Sequence, residues 1–356
     1  MSVFPNASTL VKITAKKSAI VQNISFIIFV LIYSSEFIYF LESSMLLKHL
    51  INPRPSTILF FVVFCVLFVV FPIIKCDIQA LFKHTHLHPL IVLFFGITIP
   101  FFISMGLNNI VYEKNIIRKE NVVIGFVFIL ISTPFVNTVE AWISSFLLLF
   151  LFNFLVESYQ KDLPFSQFFN ASMILGLLTF IYPNLIFLLL LLIVSGINYS
   201  NINLRIVITI LLGLITPYLF YFVFTFLVDL PVAWPKKLHF MFFHYSTLQQ
   251  SDISEILWLG FLFLVSLVSF FELFGWLYKK SIKSRRTFMT IVWYFIICVL
   301  IAICSGGQYL YFSLMPLAII VGNYFVYTKK RKIANGLFLI FLISSIYYKY
   351  MIAFNM

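Results

Sequence analysis

The chain has 356 residues, of which 62% are hydrophobic and only 10% are charged, and its mean hydropathy is +1.06. A soluble domain carries about 25% charged residues, so this composition excludes a soluble globular protein. The net charge of +12 resides in short basic clusters between apolar segments, which is typical of cytoplasmic loops and excludes a nucleic-acid-binding surface.

The apolar segments predict twelve helices that cross a membrane. Most approach the length that a bilayer core requires, roughly 20 residues at ~1.5 Å per residue, and several are shorter. In chain order they are 19–41, 57–74, 89–105, 121–135, 141–156, 168–182, 184–198, 204–228, 255–278, 288–304, 309–327 and 333–350. The sequence therefore predicts an all-α fold, a polytopic transmembrane bundle of about 11–12 helices, with residues 1–356 as one membrane domain and no soluble domain.

Residues 168–228 form the central module of this prediction. They are interrupted at Tyr182-Pro183-Asn184, at the polar patch Asn198 to Arg205 and, inside a crossing, at Thr216-Pro217. We expect a helical hairpin followed by a helix kinked at the proline. The longest polar-rich connection, residues 229–255, follows as an outer loop.

The orientation of the N-terminal third is ambiguous. The dense basic clusters 279–286 and 329–332 predict two cytoplasmic connections. Counting crossings back from them puts residues 107–120 inside, whereas counting forward from a cytoplasmic N-terminus puts the same residues outside. Either one of the first three segments is interfacial or re-entrant, or residues 168–198 cross only once. The denser C-terminal clusters favour the backward count.

Several short motifs from about residue 90 onward carry a family resemblance. They are Phe165-x-x-Phe168, Gly176-Leu-Leu-Thr-Phe-Ile-Tyr-Pro183, Asn203-x-Arg205, Gly213-Leu-Ile-Thr-Pro-Tyr218 and Leu314-x-Pro316. Together they resemble an uncharacterised family of multi-pass inner-membrane proteins from the bacterial phylum Bacteroidota. The resemblance implies the bacterial inner membrane as the location and no assigned chemistry.

The hairpin, the basic loop and the proline-containing helix are also similar to integral-membrane glycosyltransferases that use polyprenyl-phosphate sugars. In those enzymes acidic residues lie in the first outer loop and in a short outer turn. The resemblance implies Glu36 or Glu42 for the first and Glu140 for the second. The usual aspartate and the acidic pair of the first loop are not plainly present here, and residues 42–56 are short for that loop.

The residues themselves leave two interpretations of each carboxylate open. A carboxylate inside the hydrocarbon costs at least ~2.5–3.5 kcal/mol, so Glu36, near the end of an apolar run, is a candidate general base with a pKa raised by burial. It is equally compatible with an interfacial side chain that reaches water. Glu140 begins a helix, where the helix dipole alone favours a negative charge.

Two loops offer further candidate ligands. Trp234, Lys236, Lys237, His239 and His244 in the outer loop have the chemistry to hold a lipid phosphate, and equally that of an interfacial anchor. The run His84, His86 and His88, with Asp77 upstream, lacks the ligand spacing of a metal site. The sequence therefore predicts no cofactor, and a metal ion is not supported.

Three functions compete. The first is a glycosyltransferase-like enzyme that takes sugar from a polyprenyl-phosphate carrier at the outer face. The second is a non-catalytic membrane subunit or scaffold of an envelope machine with protein partners. The third is a transporter, which the lack of a convincing internal sequence repeat disfavours. Membrane lipid is an expected partner in all three.

Overall fold

The computed structural model describes residues 45–75, 89–132, 139–229 and 253–355. Contacts group the chain into two compact units, Met1–Lys48 and His49–Met356. Only residues 45–48 of the first unit are described, and they belong to a short helix, so the architecture below is that of the second unit. One membrane domain over the whole chain stays a prediction.

The described residues form twelve α-helices and two 3₁₀ segments. The helices are α1 Met45–Ile51, α2 Pro55–Lys75, α3 Pro89–Glu113, α4 Val123–Ser132, α5 Val139–Glu157, α6 Phe165–Ile181, α7 Leu189–Asn198, α8 Leu204–Leu227, α9 Ile253–Leu277, α10 Ile282–Ser305, α11 Leu314–Tyr327 and α12 Arg331–Asn355. The 3₁₀ segments Pro183–Leu188 and Gly307–Ser313 precede α7 and α11. The predicted all-α bundle is confirmed.

Within the described ranges, five helical segments are long and apolar enough to cross a membrane. They are Glu140–Glu157, Leu204–Leu227, Ile256–Leu277, Ile282–Ser305 and Tyr309–Tyr327. These segments and the composition identify a multi-pass membrane protein. Among the other helices, α4 is apolar but has only 10 residues.

The structure differs from the sequence expectation at several helix ends. Helix α10 begins at Ile282 rather than at 288, because the Ser281 hydroxyl caps it by accepting a hydrogen bond from the backbone N–H of Ser284. The basic residues 283–286 therefore lie in its first turns and not in a loop. Helix α3 likewise continues to Glu113, beyond its expected end at 105. Pro217 lies inside the continuous helix α8.

The core of the bundle is formed by α4 and α11. All ten residues of α4 are buried, and 94% of the segment that contains α11 is buried. The two helices pack so closely that a Cβ on Gly322 would lie 2.7 Å from the side chain of Ile124. Phe126 of α4 also stacks on α2, with its ring 4.5 Å from that of Phe64.

Helices α6 and α8 meet through glycines. A Cβ on Gly176 would lie 2.6 Å from the carbonyl oxygen of Leu214, and a Cβ on Gly213 would overlap the hydroxyl of Ser172. Glycine at both positions lets the two backbones approach closely, as is common between membrane helices. Only 22% of α8 is buried, and its other residues are mostly exposed, with some half-buried.

Candidate functional site

The basic connections of the bundle lie at one end of it, which we call the basic end. It comprises residues 114–122, 158–164, 199–203, 278–281 and 328–330. Long-range hydrogen bonds join these connections. Asn201 Nδ2 donates to the carbonyl oxygen of Ser158 at 2.8 Å, and the Ser284 hydroxyl donates to the carbonyl oxygen of Asn115 at 3.5 Å.

The arrangement of the basic end decides between the two helix counts. Residues 114–122 lie beside the clusters 279–286 and 329–332, because Arg118 N–H donates to the Tyr327 hydroxyl at 3.1 Å. The backward count, which puts all three on one side, is therefore correct for this segment. The forward count puts residues 42–56 on the side opposite these clusters, but residues 51–54 lie at the same end as the clusters, since Val122 N–H donates to the carbonyl oxygen of Leu50 at 2.9 Å.

The opposite end of the bundle contains a polar and aromatic group, buried except for the half-buried Tyr182, that we call the far-end cluster. Its members are Tyr182, Asn184, Ser305, Tyr309 and Phe312. Asn184 Nδ2 donates to the Ser305 hydroxyl at 2.5 Å, while the Tyr182 ring lies 5.7 Å from that of Tyr309 and 5.0 Å from that of Phe312. The cluster thus joins the turn after α6 to the turn after α10.

Backbone breaks create the far-end cluster. Pro183 cannot donate a backbone hydrogen bond, so α6 ends before it and a 3₁₀ segment begins. At the second turn Gly306 adopts φ +107°, a conformation that favours glycine. Open space surrounds the position that a Cβ on Gly306 would take.

Helix α5 brings a carboxylate towards this cluster. Tyr311, in the same 3₁₀ segment as Tyr309, hydrogen-bonds to the hydroxyl of Ser145. Glu140 precedes Ser145 by five residues on α5, a rise of roughly 7–8 Å along the helix. Its side chain is exposed and lies in the first turn. Glu140 and the far-end cluster therefore lie at the same end of the bundle, on segments that the Tyr311–Ser145 hydrogen bond joins.

A family model described as a family of unknown function (DUF6427) matches residues 57–356. The chain belongs to this family. No curated protein and no solved structure matches it. Membership confirms the expectation of an uncharacterised family, and the match begins earlier than the motifs that were recognised from about residue 90.

The motifs of this DUF6427 chain that were recognised in the sequence have a structural role. Gly176 and Gly213 form the α6–α8 contact, and the hydroxyls of Thr179 and Tyr218 form a hydrogen bond at 2.6 Å across it. Asn203 caps α8 through its side chain, which accepts from Ile206 N–H at 2.9 Å. These residues hold helices together.

Most of the site residues predicted from the sequence lie outside the described ranges. This holds for Glu36, Glu42, Trp234, Lys236, Lys237, His239 and His244, and for Asp77 and the histidines 84, 86 and 88. Among the described residues, no group of His, Cys, Asp or Glu is arranged to hold a metal ion.

Glu140 is the one predicted carboxylate that the structure describes. It lies at the far end, whereas residues 51–54, the described part of the connection that the glycosyltransferase resemblance assigns to the first outer loop, lie at the basic end. The glycosyltransferase resemblance had implied that the connection before α2 and the turn before α5 lie on the same side of the membrane. Their separation follows from the hydrogen bond between Leu50 and Val122.

Sequence reasoning missed the partners within the far-end cluster. Tyr182-Pro183-Asn184 and Gly306-Gly307 were both visible as helix breaks, but Asn184 and Ser305 are 121 positions apart. The available signal was the polar Asn184 directly after a proline within an otherwise apolar run. A polar side chain in such a place needs a partner inside the membrane.

Proposed function

We propose that the chain is a glycosyltransferase-like enzyme of the bacterial inner membrane that acts on a polyprenyl-phosphate-linked sugar at the outer face. The observation that supports this function best is the far-end cluster, which lies at the same end of the bundle as Glu140 in the first turn of α5. Proteins hold sugars with amide and hydroxyl groups and with aromatic rings, and the cluster contains all three.

The charge distribution supports the orientation of this proposal. The basic end carries most of the described lysines and arginines, and the positive-inside rule assigns such an end to the cytoplasm. The far-end cluster then faces the outer leaflet, where polyprenyl carriers deliver sugars. Membrane lipid and the carrier are the expected partners.

In this proposal Glu140 is the general base. It takes the proton of an acceptor hydroxyl as that oxygen attacks the anomeric carbon, and the polyprenyl phosphate leaves with the bonding electrons. The exposed position of Glu140 gives an acceptor from outside the membrane direct access to it. Tyr182, the half-buried member of the cluster, contacts the sugar, and the buried members hold the tyrosine ring in place.

The test combines native mass spectrometry with a transfer assay. We expect the purified protein to retain a polyprenyl phosphate or its glycosylated form, and to release labelled sugar from a polyprenyl-phosphate hexose. Glu140→Gln should abolish release without reducing lipid retention, and Asp229→Asn, which alters another carboxylate at the far end of α8, should leave both unchanged. Retention of lipid with equal release by both variants would remove Glu140 from the mechanism, and absence of any polyprenyl lipid would contradict the proposal.

A non-catalytic membrane subunit is the second candidate, and helix α8 favours it. The helix packs mainly on α6, and large apolar side chains such as Leu219, Phe220 and Phe226 are exposed along it. A partner protein in the membrane would cover this face. Co-purification of a stoichiometric protein partner, together with the absence of bound polyprenyl lipid, would support this alternative over the enzyme.

A further inference from the structure

Three cations from two connections converge at the basic end. Arg118 and Lys119 belong to the connection between α3 and α4, and Lys280 belongs to the connection between α9 and α10. All three surround the end of the core helix α11, where Tyr327 is the last residue. We call Arg118, Lys119, Lys280 and the rings of Trp276 and Tyr327 the basic-end cluster.

Two aromatic rings form the floor of this cluster. The rings of Trp276 and Tyr327 lie 5.1 Å apart. Lys280 Nζ lies 4.7 Å from the first ring centre and 4.3 Å from the second, while Lys119 Nζ lies 5.6 Å from the ring of Tyr327. These are cation–π distances, which hold each ammonium group over a ring. The hydrogen bond from Arg118 N–H to the Tyr327 hydroxyl fixes the connection in place.

No carboxylate of the described residues forms an ion pair with these cations. Both ion pairs in the described ranges use Glu157, with Lys114 and Lys161 as partners. Glu120 follows Lys119 in the chain but is exposed and unpaired, and Glu272 lies one turn before Trp276 in α9. Among the described residues, the three positive charges therefore repel each other with no carboxylate at ion-pair distance from any of them.

The environment of Lys280 reflects this repulsion. Desolvation by partial burial lowers the pKa of its ammonium group, and the charges of Arg118 and Lys119 lower it further. An anion bound between the three groups would raise the pKa of Lys280 and so oppose the effect of Arg118 and Lys119. The fold thus keeps three cations together at a cost that an anionic ligand would offset.

We propose that the basic-end cluster is a binding site for a phosphate group. The Arg118 guanidinium has the planar fork that matches phosphate oxygens, and the two lysines provide further N–H donors from the sides. The aromatic floor restricts the lysine head groups without neutralising them. Two sources carry this chemistry on the cytoplasmic side, the headgroup of an anionic inner-leaflet lipid and a soluble phosphate.

The test uses the full-length protein in nanodiscs of neutral phosphatidylcholine, with thermal unfolding as the measurement. Inorganic phosphate should raise the unfolding midpoint of the wild type, since a ligand that binds only the folded state stabilises it. In a second arm, nanodiscs that contain phosphatidylglycerol replace added phosphate. A rise in the first arm identifies a soluble phosphate, and a rise in the second arm alone identifies a lipid headgroup.

The decisive variant is Lys119→Gln/Lys280→Gln. At about 1 kcal/mol for each lysine, its apparent affinity should fall about thirtyfold. The matched control is Lys329→Gln/Lys330→Gln, which removes the same charge from exposed positions at the same end. This control should respond like the wild type. Without ligand, the decisive variant should unfold at the wild-type temperature or above it, because a repulsion has been removed.

Three results would overturn the proposal. The first is no rise in either arm for the wild type. The second is an equal rise in both double variants, which would indicate the general stabilising effect of phosphate on folded proteins or a nonspecific surface charge. The third is a lower midpoint of the decisive variant without ligand, together with an undiminished response. If the double variant does not fold, Lys119→Gln alone, at an exposed position, supports the same comparison.

Discussion

Gly213 and Gly176 show how single residues determine the contact between α6 and α8. Each occupies a place where a side-chain carbon would meet the neighbouring helix, and Gly213 faces both the hydroxyl of Ser172 and the carbonyl oxygen of Phe169. Backbone atoms cannot yield as a flexible side chain can. The contact therefore depends on the absence of a Cβ.

We expect Gly213→Ala to destabilise the protein. Overpacking of a close contact costs about 1–3 kcal/mol, which is more than the helix propensity that alanine adds. Gly260→Ala in α9 is the control, because nothing lies within 4 Å of the position that its Cβ would take. Thermal unfolding in one detergent measures both variants. Equal midpoints would contradict the close contact.

Lys280 should make the stability depend on pH. Its pKa in the folded protein is lowered from 10.5 by desolvation and by Arg118 and Lys119. Between the lowered pKa and the unfolded value the unfolded chain binds more protons, so stability rises with pH in this window. We expect the free energy of unfolding of the wild type, relative to that of Lys280→Gln, to be higher near the unfolded pKa than at about pH 8. A difference that does not change with pH would contradict the shift.

At the scale of elements, α6 is the support of α8. The two helices contact each other along their lengths, with the glycines in the middle and the Thr179–Tyr218 hydrogen bond towards the far end. Only 22% of α8 is buried. The stability of its position therefore depends on this one interface.

A double-mutant cycle with Thr179→Val and Tyr218→Phe tests the polar part of the interface. Hydrogen bonds between membrane helices contribute about 0.6 kcal/mol on average and at most about 1.7 kcal/mol in measured cycles. We expect a coupling free energy in this range from unfolding measurements on the four proteins. Additive single effects would show that the two hydroxyls do not interact.

The helices could be predicted from the sequence far better than their contacts. Apolar runs between polar clusters located every described crossing, because burial in lipid imposes a minimum apolar length. Contacts such as that between Asn184 and Ser305 depend on how distant segments fold together, and no local pattern encodes them. The 3₁₀ segments before α7 and α11 were also missed, since an apolar run has the same composition in either helix type.

At the scale of the whole molecule, the chain separates two chemistries. Cationic connections lie at the basic end, and the far-end cluster of neutral polar and aromatic groups lies at the other. The pattern of the C-terminal clusters predicted this polarity, and the hydrogen bonds at the basic end extend it to residues 114–122. The carboxylates near the N-terminus that the glycosyltransferase resemblance implies lie outside the described ranges.

Cysteine labelling tests this polarity in intact cells. In a background without native cysteines, Glu120→Cys and Lys330→Cys should react with a membrane-impermeant maleimide only after the membrane is permeabilised. Asp229→Cys, at the other end of α8, should react directly. The reason is that residues 120 and 330 share the basic end. Direct labelling of position 120 but not of position 330 would contradict the arrangement.

The pairing of α4 with α11 has a consequence for biogenesis. The ribosome completes α4 almost two hundred residues before α11. Both helices are buried in the core, where they pack against each other. A nascent chain that has not reached residue 314 therefore leaves a 10-residue helix, too short to cross the bilayer, without its main partner. A chain that ends before α11 should therefore be less stable than the full-length protein and be degraded faster in the membrane.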